Sequence, residues 1–121
     1  MGKHYSYNIV SESFKISVKT KNYFRKFFES KYDRDNIEQL IRSSSSVSAN
    51  IEEAQNSASK KDLCRYYRIA LKSSRESLHW LKFLAETMPS ASKPEIIKLI
   101  DNFTELNRIL ASCIIKLSPK E

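Results

Sequence analysis

Apolar residues recur along this chain in steps of three and four nearly from end to end, the period of an α-helix viewed from one side. The steadiest run is Leu63, Tyr67, Ala70, Ser74, Ser77, Leu81, Leu84 and Met88, with its smallest side chains at the middle. It predicts a helix over about 60–88 whose seam faces the inside of a bundle. Ile96, Leu99, Phe103, Leu106, Leu110, Cys113 and Leu117 form a second unbroken seam and predict a helix over about 93–117. Upstream, Ile37, Leu40, Ile41, Val47, Ile51 and Ala54 mark the inner side of a helix over about 36–55. The serine-rich stretch from Ser43 to Ala49 lies inside that helix, because the apolar period crosses it without losing phase. Small side chains there let a neighbouring helix come close. The first helix, about 11–29, places Val10, Phe14, Val18, Phe24 and Phe28 near one face, and Ile9, Ile16, Tyr23 and Phe27 widen the stripe. That width exceeds what one core-facing side requires. Either this helix lies deep in its own bundle, or its outer apolar flank meets another subunit.

The punctuation between these runs is polar. In the turn from Lys31 to Asn36, Asp33 or Asp35 can cap the second helix. Asn56-Ser57-Ala58-Ser59 closes it, and Ser59 can cap the third helix with Asp62 in an acidic first turn. Met88-Pro89-Ser90 ends that helix, and Ser92-Lys93-Pro94-Glu95 reads as a capping box with Pro in the first turn of the fourth. Short links imply antiparallel neighbours. The expected fold is therefore all-α, an up-down-up-down antiparallel four-helix bundle, with residues 1–121 forming one domain.

Composition agrees. The only glycine is Gly2, whereas strands joined by tight hairpins usually need glycine at positive φ. At 121 residues the chain is long enough for one core. Cys64 and Cys113 match no metal or redox spacing and suit a reducing compartment. No apolar run approaches the roughly 18 residues of a membrane span, and the first residues hold no signal-peptide core. Met1-Gly2-Lys3-His4-Tyr5-Ser6 fits the loose myristoylation pattern, a short motif that recurs by accident. The expected location is cytoplasmic.

Charge adds the functional signal. The chain carries 21 Lys and Arg against 14 Asp and Glu, a formal +7 that favours polyanionic partners. Lys61, Arg65, Arg68, Lys72, Arg75, His79 and Lys82 step by three and four opposite the apolar seam of the third helix, with no acid among them. The stripe is about 30 Å long at 1.5 Å per residue. Like charges at this spacing oppose the helix by tenths of a kcal/mol, a cost that a phosphate backbone relieves. A merely solubilising face is the plainer alternative. Lys15, Lys19, Arg25 and Lys26 form a second, weaker patch, while residues 35–58 hold one base and four acids. Catalysis finds little footing. Glu52, Glu53 and Glu76 are the acids expected nearest the bundle middle, but di-metal bundles need Glu-x-x-His on inner faces, and His4 and His79 lack such partners. There is no glycine-rich phosphate loop and no nucleophile–base pair. No catalytic residue, metal site or cofactor is expected, and no membrane partner.

Two blocks carry a family resemblance. Arg42 with Ser46-Val47-Ser48-Ala49-Asn50-Ile51-Glu52-Glu53 is one; Tyr66-Tyr67-Arg68-Ile69-Ala70 followed by Ser73-Ser74-Arg75-Glu76 is the other. They resemble the bacterial four-helix-bundle proteins encoded in intervening sequences of 23S ribosomal RNA genes, also labelled as an S23 ribosomal protein family. The order and lengths of the outer helices agree too. The chain departs where the family usually has Gly and a nearby basic residue after the Asn-Ile-Ala-Glu block; here Ala54 and Asn56 stand in that region. The resemblance implies an all-α bundle that assembles as a ring-like homo-oligomer, a pentamer. The chain is also similar to the accessory subunit of diversity-generating retroelements, a basic bundle that binds nucleic acid and a reverse transcriptase.

The matched polar residues Arg42, Asn50, Glu53, Ser73 and Glu76 have a structural account as well, as a hydrogen-bonded network that fixes the pairing of the second and third helices. The expectation overall is a non-enzymatic homo-oligomer that binds RNA or DNA without base specificity through the third-helix stripe. The alternative is a scaffold or accessory subunit docking onto a nucleic-acid enzyme such as a reverse transcriptase.

Overall fold

The computed structural model describes residues 7–31 and 33–118. The myristoylation pattern and His4 lie outside the described residues. Among them four α-helices follow in order: α1 (Ile9–Phe24), α2 (Arg34–Gln55), α3 (Lys60–Thr87) and α4 (Lys93–Leu117). A 3-10 turn, Arg25–Phe27, finishes α1, and another, Ser90–Ser92, leads into α4. No described residue has positive φ, so every link is made from ordinary right-handed or extended backbone and needs no glycine.

Long-range bonds fix the topology. Ser43 meets Ser77 and Ser46 meets Ser73, so α2 and α3 run opposite ways. Arg68 near the start of α3 reaches Ser118 just past the end of α4. Tyr23 near the end of α1 donates to the carbonyl of Ser92 at the start of α4. The result is an up-down-up-down antiparallel bundle. α2 against α3 is the broadest contact, α3 against α4 follows, and the shorter α1 seals the remaining side more lightly. α1 and α3 stand diagonally across the bundle.

The core is a continuous column that includes Phe24, Ile37, Leu40, Leu81, Phe103 and Leu110, all fully buried. Burying such side chains contributes roughly 1.5–3 kcal/mol each. The α3 seam is buried from Tyr67 to Met88, with Leu63 half-buried at its start. In α4 the seam bends at the end: Ile114 is buried, whereas Cys113 and Leu117 are only half-buried.

α1 corrects the sequence reading more deeply. Its buried face is Ser13, Ile16, Ser17, Thr20 and Phe24, while Phe14 and Val18 are 54 % and 40 % exposed. The reason is hydrogen bonding. Ser17 Oγ donates to the carbonyl of Ser44 at 2.7 Å and lies 3.1 Å from Ser48 Oγ, so a small polar strip on α1 docks against the serine run of α2. A buried hydroxyl with partners costs little, and its size lets two backbones approach.

Helix starts divide in two. Ser59 Oγ accepts from the backbone N–H of Asp62 at 3.1 Å and caps α3, and Asn8 Oδ1 accepts from that of Ser11 and caps α1. Asp33 and Ser92 make no side-chain cap bond. Both already sit in right-handed helical backbone, where the side chain is not turned back over the first N–H groups as an extended cap residue is. Glu95 completes no capping box and pairs with Lys98 instead.

Candidate nucleic-acid interface

Because Ala70, Ser74, Ser77 and Leu81 point at the bundle axis, the positions half a turn away on α3 are left to water. Lys61, Arg65, Arg68, Lys72, Arg75, His79 and Lys82 are all exposed. Lys61, Lys72, Arg75 and Lys82 have no ion-pair partner among the described residues. Arg65 is tied on both sides: its Nε is 3.8 Å from Asp62 Oδ1, and its guanidinium sits 4.4 Å from the centre of the Tyr66 ring. The exposed Asp62 pair contributes at most about 1 kcal/mol and leaves Arg65 available. Arg68 Nη2 donates to Ser118 Oγ at 3.2 Å.

The stripe is one lip of a groove, which the sequence did not disclose. Between α3 and α4 a depression of about 420 Å³ has Leu71 and Ile114 in its floor, with Arg68, Lys72 and Arg75 along one side. Ile115 stands on the other side and is 75 % exposed. Nearer the start of α3 a wider opening of about 820 Å³ gathers Lys60, Lys61, Arg65, Arg68 and Lys116 around Cys64. The signal in the sequence was Ile115, an apolar residue off the α4 seam.

The second cationic patch lies across the bundle. Lys15, Lys19, Arg25 and Lys26 are exposed, and each has a local tie. Lys15 pairs with Glu12, and Lys19 Nζ donates to Asn102 Oδ1 on α4. Arg25 donates to Asn22, and Lys26 lies over the rings of Tyr23 and Phe27. Beside it the exposed Phe14 and Val18 border a groove of about 320 Å³ between α1 and α2.

Of the polar residues read as a network between α2 and α3, the structure joins two. Asn50 Nδ2 donates to the Ser46 carbonyl at 2.8 Å and lies 3.2 Å from its hydroxyl, and Ser46 Oγ is 3.0 Å from Ser73 Oγ. Ser46 is the bridge the reading left out. Glu76 stays within α3, accepting from Trp80 Nε1 at 3.2 Å. Arg42 and Glu53 are exposed and make no bond to α3 among the described residues. Nor are Glu52, Glu53 and Glu76 near the bundle middle: all three are exposed, because the α2 period turns Ile51 and Ala54 inward instead. Among the described residues no three His, Cys, Asp or Glu side chains converge as a metal cluster. No helix among them is long and apolar enough to cross a membrane.

These features define an antiparallel helical bundle with a polycationic face on one long helix. The family of the 23S rRNA-intervening sequence protein matches the chain over residues 6–112, and the chain belongs to that family. Among solved structures it is similar to a protein with unknown function from the S23 ribosomal protein family of Bacteroides thetaiotaomicron VPI-5482. The two are 27 % identical, over 88 % of this chain and 98 % of that one, with a TM-score of 0.81. Among curated proteins none matches.

Proposed function

We propose that this bundle is a cytoplasmic, non-enzymatic, homo-oligomeric protein that binds RNA or DNA through the α3 ridge without base specificity. The observation that carries the reading is the row of exposed cations, from Lys61 to Lys82, in which five of the six Lys and Arg side chains, all but Arg65, have no ion-pair partner among the described residues. When such a row neutralises phosphates, the cations condensed on the nucleic acid are released to bulk, which favours binding at low salt regardless of sequence. Assembly as a pentamer rests on the family likeness, and it would multiply the ridge around a ring.

A second reading has its own support. The apolar floor of Leu71 and Ile114 and the exposed Ile115 beside the cations suit an acidic protein segment, as on an accessory subunit of a nucleic-acid enzyme such as a reverse transcriptase. The two readings differ in salt response, since phosphate binding weakens log-linearly and steeply with salt, and an apolar-centred protein interface loses less.

The test is binding of the purified protein to labelled RNA and DNA across a salt series. It is run beside a variant with Arg65, Arg68, Lys72 and Arg75 changed to Glu, with both masses measured by light scattering. Steep salt dependence, lost in the variant at unchanged mass, is the expected result. Failure of the native protein to bind at modest salt overturns the reading in favour of a protein partner.

A further inference from the structure

The ridge changes character along its length. At its C-terminal end the cations thin out and rings take their place. His79 is exposed, Phe83 keeps 42 % of its surface open, and Trp80 is half-buried beside them. The His79 and Phe83 rings lie 29° from parallel with centroids 6.4 Å apart, and Trp80 stands at 85° to Phe83 at 5.9 Å. The bond from Trp80 Nε1 to Glu76 holds the indole in place. At 100° per residue Phe83 falls between His79 and Trp80 around the helix, on the flank of the cationic row that turns toward α2. At the other end, about 21 Å away, Tyr66 lies under Arg65. Single exposed apolar residues are ordinary on a protein surface; interlocked rings on a cationic helix face are not.

We infer that the His79–Trp80–Phe83 cluster is a stacking platform for unpaired bases, so that the ridge takes single-stranded nucleic acid in preference to duplex. This rests on the nucleic-acid reading above and names its substrate class. In a duplex the bases are stacked on one another behind the phosphates, and a ring at the protein surface meets only backbone. A single strand can lay its phosphates along Lys72, Arg75 and Lys82 and turn bases onto the rings, an arrangement that tolerates any sequence because every base has a π-face.

Phe83 is the residue to change, because its open surface makes it dispensable for folding. Short single-stranded RNA and DNA oligonucleotides and their blunt duplexes would be titrated against the native protein, Phe83→Leu and Phe83→Tyr, with masses from light scattering. Trp80, the only tryptophan, supplies an internal fluorescence signal. Expected are tighter binding of single strands than of duplex, quenching of Trp80 by single strands alone, and a loss of about tenfold in single-strand affinity for Phe83→Leu. Duplex affinity stays unchanged, and Phe83→Tyr restores the native behaviour. Equal binding of both forms by the native protein, or unaltered single-strand binding by Phe83→Leu, overturns the platform and leaves the cationic ridge standing. A fall in mass for Phe83→Leu overturns it too, by making the rings an interface between copies. No binding of any oligonucleotide at modest salt removes the underlying reading, and the platform with it.

Discussion

The hydroxyls of Ser43 and Ser77 lie 2.8 Å apart, fully enclosed where α2 crosses α3. Each also reaches a carbonyl of its own helix, Ser43 that of Leu40 at 3.1 Å and Ser77 that of Ser73 at 3.0 Å. Whichever hydroxyl donates across the interface, the other turns its proton to its own backbone, so neither is left unsatisfied. Ser43→Ala and Ser77→Ala should each cost about 1 kcal/mol of unfolding free energy. The double variant should cost measurably less than both together, because the two changes remove one shared bond. Urea denaturation of the four proteins checks this, and strict additivity would show that the pair is not coupled.

Ser74 is the internal control. Its hydroxyl is as deeply buried, one turn away, but has no hydrogen-bond partner among the described residues. Ser74→Ala removes an unsatisfied polar group while leaving only a very small cavity. The expected change in stability runs from nothing to a gain of about 1 kcal/mol. A loss matching that of Ser43→Ala would reveal a partner for this hydroxyl.

Two phenylalanines of α1 should respond in opposite ways. Phe24→Ala, at the fully buried end of the helix, should cost about 3–5 kcal/mol. Phe14→Asp combined with Val18→Asp should move the melting point little, because both side chains already face outward. If the flank of α1 joins subunits, the paired substitution lowers the mass seen by light scattering. An unchanged mass, in a protein that does assemble, places the contact elsewhere.

The ridge makes a countable prediction. Lys72→Gln and Arg75→Gln should each reduce the slope of log affinity against log salt by about one for RNA or DNA. Lys98, an exposed cation on α4 paired with Glu95, serves as the control, and Lys98→Gln should leave the slope alone. Equal effects at all three positions would mean that net charge, and not the ridge, governs binding.

Much of this was legible from periodicity. The α3 seam needs only the spacing of Tyr67, Ala70, Ser74, Ser77 and Leu81, since a helix of fixed pitch turns those positions to one side whatever it packs against. The same geometry puts Lys61 to Lys82 outside, so the candidate ridge could be read without coordinates. Serines 43–48 were recognisable as helix because apolar residues keep phase on either side of them. The family blocks at Asn50–Glu53 and Tyr66–Glu76 fall within the matched span.

What tertiary structure alone decided concerns surfaces made by two helices at once. Phe14 and Val18 outrank Ser13, Ser17 and Thr20 in hydrophobicity, yet the three hydroxyl residues are the buried ones: Ser17 bonds the Ser44 carbonyl and the Ser48 hydroxyl of α2, and Ser13 and Thr20 bond carbonyls of their own helix. Hydrophobic periodicity weighs one helix at a time and carries no record of a partner across an interface. The capping box at Ser92 failed for a related reason, since the preceding 3-10 turn had already set its backbone. The apolar floor beneath the ridge is likewise shared, with Leu71 from α3 and Ile114 from α4. The sequence by itself determined which side of each long helix is wet or dry at α3 and α4. Only the packed bundle decided which polar groups find partners and which residues of different helices become one surface, because those depend on distances between elements that no single period encodes.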